Sequence, residues 1–127
     1  MNGVMRQSQT MAKIKALLPT LREKKRYLAF EILSKNKIKA HASVSKAIWQ
    51  GMLSYVGTKG AAQAGLLLLP EKYNERSQRG IARVSHTHVD NLKASLALIT
   101  EIDAAPAIVR SIGVSGSLKK ATTATAG

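Results

Sequence analysis

The hydrophobic residues of this chain switch between two periods in a fixed order, and that order leaves few folds open to it. Leu28, Phe30 and Ile32 alternate along Tyr27–Leu33, the period-two pattern of a half-buried strand. From Ser43, a suitable N-cap, the residues Val44, Ile48, Met52 and Tyr55 recur at helical spacing to about Val56. Trp49, Leu53 and Val56 widen that stripe. Gly57 and Gly60 are expected to end the helix, with residues 60–65 adding one small turn. Leu66–Leu69 reads as a short strand, because Pro70 and the polar stretch 71–78 separate it from the β-rich Gly80–Val84 in the manner of a hairpin. Thr87, with Asp90 three positions on, is the expected cap of a second helix whose buried face is Val89, Leu92, Leu96 and Ile99. Asp103–Pro106 are expected to mark its end, and Ala107–Val114 to form the last strand, with Ile108, Arg110, Ile112 and Val114 on one face.

The order β-α-β-β-α-β predicts an α+β fold of the ferredoxin-like or RRM-like split βαβ kind: a four-stranded antiparallel sheet with two main helices on one face. The other face would then be open, the feature many RNA-binding domains exploit. A length of 127 residues fits one domain. The expected division is an N-terminal extension over 1–20, one domain over 21–118, and a basic then Thr/Ala-rich tail over 119–127 without fixed structure. An apolar fraction of 45% supplies one core and excludes a disordered basic arm.

Charge narrows the function. Twenty Lys/Arg against seven Asp/Glu give +13, so the chain repels itself unless a polyanion neutralises it. Residues 1–39 carry ten bases and two acids, concentrating the positive charge in the 21–26 and 35–39 clusters. A membrane surface is not expected as the partner: the segment Ala12–Leu21 is short, interrupted by Pro19, and no apolar run approaches a span. With no cysteine there is no disulfide and no thiolate metal site, which fits a cytoplasmic location.

Four motifs carry chemistry, and each has a plainer alternative. Arg79-Gly80-Ile81-Ala82-Arg83-Val84-Ser85-His86 overlays the RNP1 pattern of RNA-recognition motifs at Arg79, Gly80, Ala82 and Val84. Its aromatic positions hold Ile81, Arg83 and His86, so bases cannot stack there, and binding must rest on phosphates and RNA shape. On the motif alone an ordinary strand would serve equally well. The basic clusters are either an RNA footprint or solvated surface. His86 and His88 are too closely spaced to share a helix face and no carboxylate pair accompanies them, so helix-start chemistry outweighs a metal or catalytic role. Gly113-Val114-Ser115-Gly116 matches a GXXG clamp but follows a strand, where glycines bend the chain out of a sheet.

Three segments together resemble one family. Leu18–Ile32 is similar to the opening of archaeal ribonuclease P protein component 2, the relative of the Pop-five subunit of the eukaryal enzyme. Arg79–Ser85 followed by Val89-Asp90 resembles its third strand and second helix start, and Val109–Lys120 its closing strand and basic end. The departures are the extension before Leu18, the Leu-rich second strand and the Thr/Ala tail. The resemblance implies a non-catalytic protein subunit of a ribozyme that removes 5′ leaders from precursor tRNA. In such an enzyme the RNA does the chemistry with Mg²⁺, and the protein itself binds no cofactor. The implied partners are ribonuclease P RNA, whose catalytic domain it stabilises, a barrel-fold subunit of the Rpp-thirty type, other ribonuclease P proteins, precursor tRNA as holoenzyme substrate, and a second copy of the chain. Residues assigned to RNA are Arg22, Lys24, Lys25, Arg26, Lys35, Lys37, Lys39, Arg79, Arg83, Lys119 and Lys120, with Trp49 and Leu53 assigned to a protein partner. No residue is assigned to catalysis or to a metal. A ribosomal or assembly protein of ferredoxin-like fold is the alternative, and a metal-dependent nuclease using His86 and His88 a third reading.

Overall fold

A computed structural model describes residues 24–126. The 1–20 extension and Arg22 lie outside the described residues. The elements run β1 (Lys25–Ser34), α1 (His41–Ala64), β2 (Leu67–Leu68), a 3₁₀ turn (Pro70–Lys72), β3 (Arg79–Ser85), a second 3₁₀ turn (His86–His88), α2 (Val89–Ala97), β4 (Glu101–Ile102), β5 (Ala105–Ser115) and α3 (Leu118–Ala126).

β1 is the centre of an antiparallel sheet ordered β2-β3-β1-β5-β4. The expectation of four strands is corrected to five. The added strand is β4, and it forms because Asp103 (φ 54) and Ala104 (φ 63) make a two-residue turn that folds Glu101-Ile102 back onto Ala105-Pro106. Positive φ at both central positions matches the twist of a tight hairpin. The segment read as the end of a helix is therefore a hairpin, and α2 stops at Ala97.

One sheet face meets α1 and α2. Leu28, Phe30, Ile32, Ala82, Val84 and Val109 are buried there against Val44, Ile48, Met52, Leu92 and Leu96. The apolar stripes read from the sequence supply this core, but the caps differ. α1 starts at His41 after Ala40, and α2 at Val89 after His88, with no side-chain cap in either case. Nor does Gly57 end α1: with φ 77 and ψ 176 it kinks the helix, which resumes and stops at Gly65 in the left-handed region. Only glycine takes both conformations without strain.

The other face departs most from expectation. Ala29 and Ile81 pair across β1 and β3, and both are fully buried although they belong to the face read as open. What covers this face is α3, which packs on β1, β5 and β3. The Thr/Ala segment expected to lack structure is thus a helix, with Ala121 (3% exposed) and Thr125 buried. Small side chains let the helix lie close to the sheet, so a third layer forms with Leu118 as its single large apolar residue. In β5 a bulge splits the expected shared face. Ile112 has no partner between Gly113, opposite Ala29, and Ser111, opposite Phe30. The bulge puts Val114, opposite Leu28, on the other face from Ile108 and Arg110; Ala107 and Val109 are buried in the core, and Ile108 (61%), Arg110 and Ile112 are exposed.

Candidate nucleic-acid interface

The basic residues gather at the two ends of β1. At its start, Lys24 is exposed and its carbonyl accepts a bond from the His86 amide (2.9 Å). Lys25 lies opposite Ser85 and its Nζ reaches Gly65, where the carbonyl end of α1 favours a cation. The Arg26 guanidinium donates to the Lys25 carbonyl (3.2 Å) and lies beside Gly116, just before α3. Lys119 and Lys120 are exposed in the first turn of α3. One group therefore combines residues 24–26 with residues 119–120, which are far apart in sequence.

The second group, Lys35, Lys37 and Lys39, sits beyond the far end of β1 and is exposed. Eight residues of strand, 27–34, separate the two groups, on the order of 30 Å. They are two footholds rather than one patch, which sequence spacing could not reveal.

The second group is held in shape by residues that carry no charge-based signal. Gln78, buried and at φ 53, accepts from the Ile38 amide (2.5 Å) and donates through Nε2 to the Ile32 carbonyl (3.2 Å) and Ser34 Oγ (3.1 Å). The Tyr73 hydroxyl donates to the Ile38 carbonyl (2.6 Å), and Lys37 Nζ to the Arg76 carbonyl (2.5 Å). Burial raises the Tyr73 pKa, with Glu75 adding to the shift, and burial lowers that of His41, whose ring meets Tyr73 edge to face at 5.6 Å. The loop bearing the lysines is thereby fixed before any ligand arrives, which lowers the entropy lost on binding.

Between the two footholds, on the face that carries α3, Arg79, Glu31 and Arg110 form a row across β3, β1 and β5. Arg79 Nε donates to Glu31 Oε2 (2.9 Å), while Arg110 donates to Oε1 through Nε (2.9 Å) and Nη2 (2.5 Å). Hydrogen bonds from Arg79 and Arg110 outweigh the desolvation that would raise the Glu31 pKa, and hold its carboxyl below the usual range. Arg79 was assigned to RNA from sequence; Arg110 was not, because only register brings it to Glu31. Arg83 is half-buried, and its Nε is buried with no hydrogen-bond partner among the described residues.

Of the residues assigned to a protein partner, Trp49 is half-buried against the core, whereas Leu53 is 43% exposed one helical turn on. His86 is exposed and His88 Nδ1 contacts Asn91 Nδ2 at 3.2 Å. Among the described residues no cluster of three or more His, Asp or Glu could hold a metal ion. No helix there is long and apolar enough to cross a membrane.

Comparison with known proteins agrees with this architecture and names it. The family model of the Rpp14/Pop5 family matches residues 26–126, from the first strand through α3. The chain belongs to the Rpp14/Pop5 family. Among relatives, ribonuclease P protein component 2 of Thermococcus gammatolerans is 44% identical over 108 residues, covering 85% of this chain and 88% of that protein. The protein of the same name from Thermococcus kodakarensis is 41% identical with the same coverage, and that from Methanocaldococcus jannaschii 40% identical, covering 85% and 77%. A chain in a cryo-EM structure of yeast ribonuclease MRP has the same fold, with a TM-score of 0.60, 16% identity and 76% of each chain covered. The Rpp14/Pop5 match includes the segment that the sequence reading set outside the domain, in accord with the packing of α3 on the sheet.

Proposed function

We propose that this Rpp14/Pop5 protein is a non-catalytic protein subunit of ribonuclease P, the RNA-based endoribonuclease that removes 5′ leaders from precursor tRNA. The observation that carries this reading is the identity of 36–44% to archaeal ribonuclease P protein component 2 over most of both chains. The physical arrangement supports it. Two basic footholds at opposite ends of a strand suit a polyanion longer than either one, and phosphate contacts neutralise charge without reading sequence. By lowering phosphate repulsion the protein would favour the compact fold of the RNA catalytic domain, with Mg²⁺ held by that RNA. Its role places it in the cytoplasm.

The same reading assigns Arg22, Lys24, Lys25, Arg26, Lys35, Lys37, Lys39, Arg79, Arg83, Lys119 and Lys120 to RNA contact. The sheet order β2-β3-β1-β5, set apart from the short β4, supports a split βαβ ancestry for the fold. Trp49 and Leu53, one helical turn apart on α1, form the surface we assign to another protein of the complex, a barrel-fold subunit or a second copy of this chain. Purifying the tagged protein from cells and sequencing the RNA that accompanies it tests the proposal. Enrichment of ribonuclease P RNA is the expected result, and enrichment of ribosomal RNA would favour the alternative assembly role.

A further inference from the structure

Glu31 is the sole acid on β1 and is 8% exposed at the middle of the sheet. One guanidinium is enough to neutralise one carboxylate, and Arg79, itself largely covered, already does so. Arg110 brings a second. Its side chain is 62% exposed, and an ion pair that open to water adds little to stability, about 0–1 kcal/mol. Folding alone accounts poorly for the arrangement. Arg110 Nη1 forms no bond among the described residues. No acid lies on β5, where exposed Ser111, Ile112 and Gly113 follow Arg110.

We propose that Glu31 is a positioning residue: it holds the exposed Arg110 in a fixed orientation on β5 to receive a backbone phosphate of bound RNA. A guanidinium whose Nε edge is clamped by a carboxylate keeps its remaining N–H groups aimed in one direction, so binding orders less of a flexible side chain. Arg110, opposite Glu31 on β1, also lies between the two ends of that strand, where the basic footholds sit. This inference rests on the RNA-binding reading and adds to it the residues Glu31 and Arg110.

The sign of one substitution separates positioning from bulk charge. Glu31→Gln raises the formal charge from +13 to +14. Attraction governed by net charge alone would tighten RNA binding. Positioning predicts the opposite: the full chain carrying Glu31→Gln binds a ribonuclease P RNA transcript about tenfold more weakly, the loss expected for a charge-assisted hydrogen bond. Arg110→Gln is expected to weaken binding to a similar extent, Arg110→Lys to fail to restore it, and the double variant Glu31→Gln/Arg110→Gln to bind no worse than Arg110→Gln. A folded Glu31→Gln protein that binds as well as or better than the parent overturns the proposal. So does unchanged binding by Arg110→Gln, an exposed site that keeps the test open if Glu31→Gln does not fold. If the parent binds ribosomal RNA in preference to ribonuclease P RNA, the functional reading fails separately, and the same variants are measured on the RNA that binds.

Discussion

The two faces of the sheet are built from alternate residues of the same strands, yet they are held by different physics. Toward α1 and α2, Leu28, Phe30 and Ile32 present large apolar groups to a continuous core. Toward α3, Ala29, Glu31 and Ile81 meet small side chains and guanidinium groups. The first face accounts for most of the apolar burial that makes the fold stable. The second face contributes less packing but keeps charge in fixed positions, which is what recognition of a phosphate backbone requires. The pleat of the strands thus separates the apolar core from the fixed charges.

Substitutions that act on one face at a time test that division. Phe30→Ala should have the largest effect, a loss of about 3–5 kcal/mol in denaturant unfolding, because a fully buried ring leaves a cavity. A loss under about 1 kcal/mol would show that the core is not where the chain draws its stability. On the opposite face, Ala121→Asp places a carboxylate under α3 and should cost about 1–3 kcal/mol. Its signature should be local: lower helical circular dichroism and faster amide exchange at Ala29 and Ile81, with the α1/α2 core protected. Global unfolding by this variant would mean that the two faces are not separable.

The smallest effects are expected from acid, in two steps. Burial holds the His41 pKa down, so the unfolded chain binds a proton that the folded chain refuses, and stability begins to fall below pH ~6.5. The depressed pKa of Glu31 gives a contribution that is complete above its unfolded value, about 4.3, and disappears as pH falls through the lower folded value. His41→Phe should remove the upper step and Glu31→Gln the lower one when thermal midpoints are measured against pH. If both steps persist in both variants, other groups carry the acid response.

What the sequence made legible follows the same division. Leu28, Phe30 and Ile32 of β1 and most of the stripes of α1 and α2 carry large apolar residues at regular spacing and are buried as expected, whereas Tyr55, expected in the α1 stripe, is 47% exposed. α3 escaped because its buried contacts are Ala121 and Thr125, residues that give no hydrophobic period. β4 is two residues long, and Asp103-Ala104 is not a sequence that signals a turn with two positive φ values. In β5 a bulge at Ile112, which no residue type signals, moves Val114 off the face of Ile108 and Arg110. Charge composition pointed to RNA, but the separation of the basic groups and the Arg79–Glu31–Arg110 row depend on strand register across elements distant in the chain. Gln78 was likewise invisible, since its role is to bond the backbone of another loop.

The most direct test of the central claim is cleavage of precursor tRNA in a reconstituted mixture of ribonuclease P RNA, a barrel-fold partner subunit and this protein, measured as Mg²⁺ is lowered. The account predicts no cleavage by the protein without the RNA, and RNA-dependent removal of the 5′ leader at a Mg²⁺ concentration where omission of the protein abolishes activity. Leader removal by the protein alone, or an RNA whose Mg²⁺ requirement is the same with and without it, would contradict the account.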